Sequence, residues 1–214
     1  MKLYHGTSAT HTEAILSKGI MPRSYRKGRS QWTHTVHSAS DRVYLTTAYP
    51  LYFAANALAD TDSYGLVVEV DTDRLSKEHF LPDEDFLEQY HRVMGDDLPP
   101  DWNMKKRTIW YRNNAGLYRW RPSVEAMGTC AYLGVIPARA ITRYALVPVN
   151  HKLWLIAMDP TITLINYRLM GIRYRNLVHW VFNDLLEFAE TPLDSIDFSM
   201  LSREGIILNE VNSR

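Results

Sequence analysis

The chain has 214 residues, 46% of them hydrophobic, which is enough to bury a core in a single domain. Its 24 Lys and Arg residues balance 24 Asp and Glu residues, so the overall charge indicates neither a nucleic-acid-binding nor a membrane-binding protein. The single cysteine, Cys130, excludes an intramolecular disulfide framework and a cysteine-rich zinc site. We expect a cytoplasmic protein without a membrane partner, because neither a signal peptide nor a membrane-spanning run is visible.

The first third of the chain alternates between strand patterns and helix patterns. Short alternating or β-branched runs predict strands, and amphipathic runs predict helices. Gly19 is a typical residue for the end of the first helix, and Pro50 for the start of the second. The predicted strands are residues 2–6, 42–46 and 65–71, and the predicted helices are residues 10–18 and 49–59. The basic stretch between residues 21 and 41 predicts a loop.

The remaining segments complete an α+β body of about six strands. Residues 83–101 are acidic and end near two prolines, which predicts a surface insertion. Residues 105–121, KKRTIWYRNNAGLYRWR, predict two strands joined by an NNAG turn. Two further strands are predicted at residues 131–135 and 144–149, and Asp159 followed by Pro160 predicts the start of a long amphipathic helix. We therefore expect a core in residues 1–150 and a helical extension, packed on it, in residues 151–214.

Candidate ligand-binding residues lie at the first two predicted strands. A glycine directly after His5 lets a ligand approach the backbone, and the imidazole can donate a hydrogen bond. Tyr44 and Tyr52 form an aromatic pair that could stack on both sides of a flat ring. The structural alternative is that His5 is a hydrogen-bond partner at a strand end and that both tyrosines are ordinary core residues.

The order of these segments resembles the ADP-ribosyltransferase superfamily. The resemblance rests on YHGTS, a helix, GI followed by a nearby proline, a basic loop, VYLTT, a helix containing YFA, and VVEVD, and more loosely on YLGVIPARAI at residues 132–141. It implies a split, mostly antiparallel β-sandwich with flanking helices. It further implies that NAD is held in a central cleft and cleaved at the bond between nicotinamide and ribose.

The resemblance also implies roles for individual residues. His5 matches the first signature and would bond a ribose of NAD, while the Gly6 backbone would contact the nicotinamide amide. Tyr44 matches the second signature, in the branch whose signature residues are His, Tyr and Glu, and Tyr52 would close over the ring. The remaining cofactor-binding candidates are Thr7, which adds a hydroxyl, and Arg23, which adds a cation suited to a pyrophosphate.

The third signature, a glutamate near the fifth strand, is not matched directly. It would orient a ribose hydroxyl and place negative charge beside the transition state. The expected position falls at residues 129–131, which contain no acid, and Glu125 is the nearest candidate. Glu125 lies either in a loop entering the strand or in a short helical turn between Ser123 and Gly128. In the second case another acid such as Glu69, which otherwise reads as a solvated strand residue, would act, or the protein would be an inactive relative.

The segment at 105–121 combines cations with aromatic residues, a composition suited to phosphate contacts and base stacking. Its nucleic-acid-binding candidates are Lys105, Lys106, Arg107, Trp110, Arg112, Arg119, Trp120 and Arg121. They favour a nucleic-acid acceptor, RNA or DNA, as in toxin and phage-defence branches of the superfamily, while a protein acceptor stays open. A solvated edge hairpin with buried aromatic residues is the structural alternative. The helix from Asp159 is expected to pack on the core, and its exposed apolar residues could dock an antitoxin or inhibitor.

Two other functions stay open. An RNA 2′-phosphotransferase also consumes NAD and has a similar opening motif, and it relies on several arginines and a histidine in place of a glutamate. A catalytically inactive relative could bind NAD, ADP-ribose or RNA. A metal enzyme is not expected, because His34 and His37 lie in a loop with only Asp41 as a nearby carboxylate.

Overall fold

The computed structural model describes residues 1–25, 38–94, 98–158, 167–185 and 197–211. Within these ranges the chain forms seven strands and seven α-helices. The strands are β1 (Lys2–Ser8), β2 (Arg42–Thr46), β3 (Tyr64–Asp71), β4 (Phe80–Pro82), β5 (Thr129–Leu133), β6 (Ile141–Pro148) and β7 (Ile207–Glu210). The helices are α1 (Thr12–Lys18), α2 (Pro50–Ala57), α3 (Glu84–Met94), α4 (Met104–Asn114), α5 (Arg121–Met127), α6 (Leu153–Ala157) and α7 (Tyr167–Phe182). No helix within these ranges combines the length and the apolar composition of a membrane span.

The seven strands form one antiparallel sheet in the order β4-β5-β2-β1-β3-β6-β7. β1 pairs with β3 along its whole length, from Lys2 opposite Asp71 to Ser8 opposite Gly65. By contrast, β1 and β2 are joined by one residue pair, Tyr4 opposite Thr46. The predicted α+β class is confirmed. Of the neighbouring strands in the described sheet, β1 and β2 share the fewest paired residues.

Helices cover both faces of the sheet. Because successive side chains of a strand point to opposite faces, Leu3 and Tyr4 belong to different hydrophobic clusters. Leu3 packs with Ile15 of α1, whereas Tyr4 packs with α2, α6 and α7. A third cluster places α3 and α4 against the β4-β5-β2 part of the sheet, and its members include Leu87 and Tyr111.

Most of the elements predicted before residue 83 and around β5 and β6 are confirmed, with ends shifted by a few residues. Gly19 follows α1 with φ +87°, and a Cβ atom there would lie 2.1 Å from the Ile136 oxygen, so glycine is required. The main chains of Ile20 and Ile136 then exchange hydrogen bonds of 2.9 and 3.0 Å, which fixes the end of α1 to the β5–β6 connection.

The predicted hairpin at residues 105–121 is wrong, because this segment is helical. Asn103 caps α4, since its side chain accepts a hydrogen bond from the Lys106 amide at 3.0 Å. Thr108, Tyr111 and Ala115 are buried at helical spacing, while Lys105 and Lys106 are exposed. The NNAG sequence is the end of α4, followed by a 3-10 turn, and does not join two strands.

The predicted surface insertion at residues 83–101 is also wrong for its first half. This part forms α3, in which Glu84, Leu87 and Glu88 are buried. The acidic composition of the segment concealed a helix that packs on the sheet. Residues 95–97 lie outside the described ranges.

The segment after residue 150 contributes to the sheet as well as to the helical layer. β7 pairs with β6 through four residues, from Arg143 opposite Glu210 to Leu146 opposite Ile207. Neither β7 nor the short helix α6 was predicted. The predicted start of the long helix at Asp159 lies outside the described residues, and the described helix α7 begins at Tyr167.

Candidate functional site

β1 and β2 separate directly after their single pair, and His5 lies at this opening. The Nδ1 atom of His5 is 3.1 Å from the main-chain oxygen of Tyr44. A carbonyl oxygen only accepts hydrogen bonds, so Nδ1 carries the proton and donates. The residues that match the first two signatures therefore meet across the gap between the two strands.

Gly6, the next residue of β1, packs beneath α2. A Cβ atom at this position would lie 1.7 Å from the Pro50 oxygen and 2.8 Å from the Ala54 nitrogen. Only glycine lets the helix approach the strand so closely. The packing of α2 thus accounts for Gly6, and contact between its backbone and a ligand stays a prediction. Thr7 is half-buried and pairs with Leu66 of β3.

The hydroxyl of Tyr44 belongs to a buried polar cluster. It donates a hydrogen bond of 2.6 Å to Glu84 Oε2 and accepts one of 2.7 Å from the Ala39 amide. Arg42 donates to the other carboxylate oxygen of Glu84 at 3.1 Å. The Glu84 residue is only 1% exposed. It therefore fixes the side chains of two β2 residues, Arg42 and Tyr44, relative to each other.

The carboxyl groups around this cluster have raised pKa values. Burial raises the pKa of Glu84 to about 7, the Asp83 carboxyl adds to the rise, and Arg42 opposes it. Burial, followed by the charges of neighbouring carboxyls, raises the pKa of Asp85 to about 8. Carboxyl groups that titrate near neutrality are common at functional sites, although buried ion pairs also produce them.

These acids directly follow β4, the strand beside β5, and two of them open α3. The residues at the expected position of the third signature, 129–131, are buried and contain no acid. β4 pairs with β5 through Pro82 and Cys130, and the chain then turns directly into α3. The Asp83 side chain accepts a hydrogen bond of 3.0 Å from the Asp85 amide, and its own amide donates to Ser123 at 3.0 Å. The start of α3 is therefore held beside β5 and β2.

The sequence contained a signal for this cluster that we missed. The buried residues of α3 are Glu84, Leu87, Glu88 and His91. Their positions i, i+3, i+4 and i+7 are those of one helix face. Because two of the four are acids, a pattern restricted to apolar residues does not detect that face.

Arg23 and Arg112 lie together, although the sequence placed them in different candidate sites. The Arg23 guanidinium donates to the Ser38 oxygen at 2.7 Å, and that of Arg112 donates to the same oxygen at 3.1 Å. Arg42 in turn donates to the Arg112 oxygen at 3.3 Å. Two guanidinium groups thus converge next to the segment that enters β2, close to Tyr44.

The other nucleic-acid-binding candidates are divided between surface and core. The exposed cations are Lys105, Lys106, Arg119 and Arg121. Arg107 forms an ion pair of 3.2 Å with Glu88. Trp110 packs edge-on against His91, with ring centroids 5.0 Å apart, and Trp120 stacks on Phe80 at 4.5 Å. Both tryptophans are half-buried and have packing partners within the chain. The predicted surface of alternating cations and aromatic residues on one hairpin is therefore not formed.

Glu125 lies on α5 and Tyr52 lies on α2. Glu125 is an exposed residue of helix α5, which ends at Gly128 with φ +71°. The helical alternative for Glu125 is therefore the one observed. Its neighbourhood is a cleft of about 780 Å³, which Tyr4, Arg175 and residues of both charge signs also line. Tyr52 lies on α2, half-buried, with its ring 5.9 Å from that of Phe53.

Glu69, predicted as a solvated residue, is 2% exposed and lines the cleft of about 780 Å³. It accepts hydrogen bonds of 2.6 Å from Thr142 and of 2.8 and 2.6 Å from Arg143. Arg143 also binds Asp184 at 2.6 Å, which ties the residues after α7 to the sheet. This network has the contacts of a structural ion-pair cluster.

The described part of α7 is packed on the sheet. Its side chains from Gly171 to Phe182 are all buried or half-buried, so this stretch does not offer the exposed apolar face predicted to dock an antitoxin. The predicted histidine pair at 34 and 37 lies outside the described residues.

No family model and no curated protein matches this chain. Among solved structures it is similar to one named EcPltA, with 13% identical residues and a TM-score of 0.37, over 68% of this chain and 74% of that chain. A TM-score of this size carries no argument about function, so the contacts of the site have to supply one.

Proposed function

We propose that this chain is a mono-ADP-ribosyltransferase that binds NAD at the opening between β1 and β2 and transfers ADP-ribose to a nucleic acid. The observation that carries the proposal is the contact between His5 and Tyr44, the two residues that match the first two signatures. They lie at the single point where the sheet is nearly divided. A toxin or phage-defence role, controlled by a partner protein, belongs to the same proposal.

The residues around the opening have the chemistry that NAD requires. The guanidinium groups of Arg23 and Arg112 converge on the Ser38 oxygen. They suit a pyrophosphate, because one guanidinium group can donate hydrogen bonds to two phosphate oxygens at once. The Tyr44 ring is held in place through its hydroxyl, so it can offer a fixed face to the nicotinamide. The His5 imidazole contacts the main-chain oxygen of the same residue, Tyr44.

In the proposed reaction the bond between the ribose C1′ and the nicotinamide nitrogen breaks, and nicotinamide leaves with the bonding electron pair. A nucleophilic atom of the acceptor forms the new bond to C1′ and loses its proton. Negative charge placed beside the ribose favours this step. Glu84, which contacts the Tyr44 hydroxyl and is paired with Arg42, is one candidate for this role, and the exposed Glu125 is the other.

Labelled NAD tests the proposal directly. The protein is incubated with NAD labelled in the adenosine part and with RNA, single-stranded DNA, double-stranded DNA or cell lysate. We expect covalent label on one nucleic acid and stoichiometric release of nicotinamide. Label on a lysate protein alone would replace the acceptor class. If the folded protein produces no label on any acceptor and releases no nicotinamide, the proposal is overturned.

Two variants separate the candidate acids. Glu84→Gln keeps the size of the side chain, so it can be compared with Glu125→Ala at equal NAD concentration. We expect Glu84→Gln to lower kcat by at least tenfold and to change the pH profile of kcat, while Glu125→Ala changes kcat less. The reverse order would assign the role to Glu125.

Arg112→Ala and Arg23→Ala should raise KM for NAD more than they lower kcat, because both groups bind the pyrophosphate.

A second function has a specific observation in its favour. An RNA 2′-phosphotransferase relies on arginines and a histidine, and here two arginines converge on the Ser38 oxygen, beside the residue that contacts the Tyr44 hydroxyl, while β5 carries no acid. Such an enzyme would transfer a 2′-phosphate from RNA to the ADP-ribose part of NAD, and nicotinamide would leave. RNA with an internal 2′-phosphate is therefore included as a substrate, and transfer of that phosphate to ADP-ribose, with unlabelled RNA as the other product, would assign this second function.

A further inference from the structure

A second cleft, of about 480 Å³, lies on the α1 side of the sheet. Its walls are the end of α1, residues 75–79 and the chain from the end of β5 to Arg139. The lining residues with charge or polar side chains are Ser17, Lys18, Ser76, His79, Tyr132 and Arg139. We name it the cationic cleft, because its charged groups are Lys18, Arg139 and, when protonated, His79.

The charge of this cleft is not compensated by its lining. None of the described residues that line it is a carboxylate. Within the described chain, neither Lys18 nor Arg139 has an ion pair or a side-chain hydrogen bond. The nearest acid along the chain, Glu78, is outside the lining, and its hydrogen bond with Ser76 lowers its pKa. An anion would therefore find two uncompensated cations there.

The larger cleft behaves differently, although it also contains basic residues. Its lining includes Lys2, Arg143 and Arg175 together with Glu69 and further carboxylates. Arg143 is paired with Glu69 at 2.6 Å. Mixed charges of this kind cancel, so of these two clefts only the cationic cleft has an excess of positive charge in its lining.

The walls of the cationic cleft are fixed by main-chain bonds. The bridge between Ile20 and Ile136 locks the end of α1 to the β5–β6 connection. Arg74 donates to the Arg139 oxygen at 2.9 Å, which ties residues 72–74 to the same connection. Because Lys18 and Arg139 project from fixed backbone, they lose little backbone freedom when a ligand binds.

The cationic cleft is also close to the proposed active site. Leu133, which lines it, pairs with Arg42, and Ala131 pairs with Tyr44 two residues along the same strands. Two residues of a strand span about 7 Å. The Gly134 amide donates to the Asp41 oxygen at 2.9 Å, so the end of β5 is held next to the segment that enters β2.

We propose that the cationic cleft binds a phosphate of the nucleic-acid strand whose base or sugar is modified at the β1–β2 opening. The inference rests on the proposed function for its choice of a nucleic acid. Lys18 and Arg139 contact phosphate oxygens, and the exposed imidazole of His79 adds a donor or a stacking surface at the rim. The group recognised is a phosphate. It is a diester in a short single strand, a monoester in a mononucleotide and a free ion in inorganic phosphate.

Binding of a fluorescent single-stranded RNA oligonucleotide, measured as a function of salt without NAD, tests the inference. Lys18→Ala combined with Arg139→Ala should weaken binding by tenfold or more and reduce the slope of log affinity against log salt by about 1 to 1.5. Lys152→Ala removes an exposed lysine outside the cleft and is the matched control. Weakening by Lys105→Ala with Lys106→Ala, without any effect of the Lys18 and Arg139 changes, would overturn the inference.

Chemical shifts of the His79 imidazole identify the source of the phosphate. We expect titration with the oligonucleotide to shift them at lower concentration than titration with a nucleoside monophosphate or inorganic phosphate. Equal effects of all three would replace the nucleic acid by a small phosphate ligand, and no shift with any of them would overturn the inference. Nicotinamide release without an acceptor is measured in parallel, so a failure of the proposed function is distinguished from a failure of this site. A lysine that merely stabilises the end of α1 would change the melting temperature and not the affinity.

Discussion

Tyr44 donates a hydrogen bond of 2.6 Å to Glu84, although one residue lies in the centre of the sheet and the other opens α3. The acidic segment after β4 is therefore part of the candidate site and not an appendage. Everything that displaces α3 should also disturb the ring of Tyr44.

The first prediction concerns this bond. Tyr44→Phe leaves a buried carboxylate oxygen and the Ala39 amide without a partner, which should lower the free energy of unfolding by about 1–3 kcal/mol. Combined with Glu84→Gln, the loss should be smaller than the sum of the two single losses, because the residues interact. Chemical denaturation measures all three variants.

Tyr64→Phe is the control for this cycle, because the Tyr64 hydroxyl makes no hydrogen bond within the described residues. It should change the unfolding free energy by less than about 0.5 kcal/mol. Additive losses for Tyr44→Phe and Glu84→Gln would contradict the observed bond.

The second prediction concerns the pH dependence of stability. Asp85 has a pKa of about 8 in the folded chain against an ordinary value of 3.8, so the folded state holds its proton more tightly than the unfolded state. The Asp85 contribution to stability therefore falls as pH rises from about 4 to about 8. Asp85→Asn resembles the protonated form, so it should be nearly neutral below about pH 4 and stabilise the fold at pH 9 by at least about 2 kcal/mol.

Thermal melting of both proteins across this range measures the effect. Asp62→Asn is a useful comparison, because an amide hydrogen bond from Ala59 lowers the pKa of that exposed carboxyl. Its substitution should destabilise at neutral pH and have no effect in acid, the opposite trend. A stability difference for Asp85→Asn that does not change with pH would contradict the second prediction.

The third prediction separates the two nitrogens of His5. An asparagine amide nitrogen reaches the position of Nδ1, so His5→Asn should keep the bond to the Tyr44 oxygen and nearly all of the stability. His5→Ala should lose about 1 kcal/mol. If the remaining nitrogen acts on the ligand, both variants lose NAD affinity, which calorimetry measures. Full NAD affinity in the Asn variant would limit His5 to a structural role.

The fourth prediction concerns Gly6. Gly6→Ala places a methyl group against the Pro50 backbone, so α2 has to move away from β1, and we expect a loss of at least 1–3 kcal/mol by denaturation. Gly116→Ala is the matched control, because nothing lies within 4 Å of a Cβ atom there. It should be neutral or slightly stabilising. Equal stability of the two variants would contradict the tight packing of α2.

The sequence predicted the strands and helices that are bounded by strong local signals. β1, α1, β2, α2 and β3 follow from alternation, Gly19 and Pro50, because each of these signals acts within a few residues. The sequence predicted a hairpin in place of α4 because the aromatic residues of this segment have a high strand propensity. The segment forms a helix instead, in which Asn103 caps the first turn and Thr108 and Tyr111, three residues apart, are both buried.

The site was predictable only in part. The order of motifs assigned His5 and Tyr44 to two strands, and the two residues are in contact. The convergence of Arg23 with Arg112 depends on how α4 docks, which no local pattern contains. The position of Glu84 depends on the pairing of β4 with β5, a contact between residues about 50 apart in the chain.

Among the described residues, the pair between Tyr4 and Thr46 is the only main-chain pairing of β1 with β2, so the sheet consists of two groups of strands. β1, β3, β6 and β7 share continuous ladders, and so do β4, β5 and β2, but few main-chain bonds cross from one group to the other. Amide protons within each group should therefore exchange with solvent together, at rates that differ between the groups. A ligand that bridges the opening would merge the two exchange classes into one, which makes isotope exchange a readout of binding even when no chemistry follows.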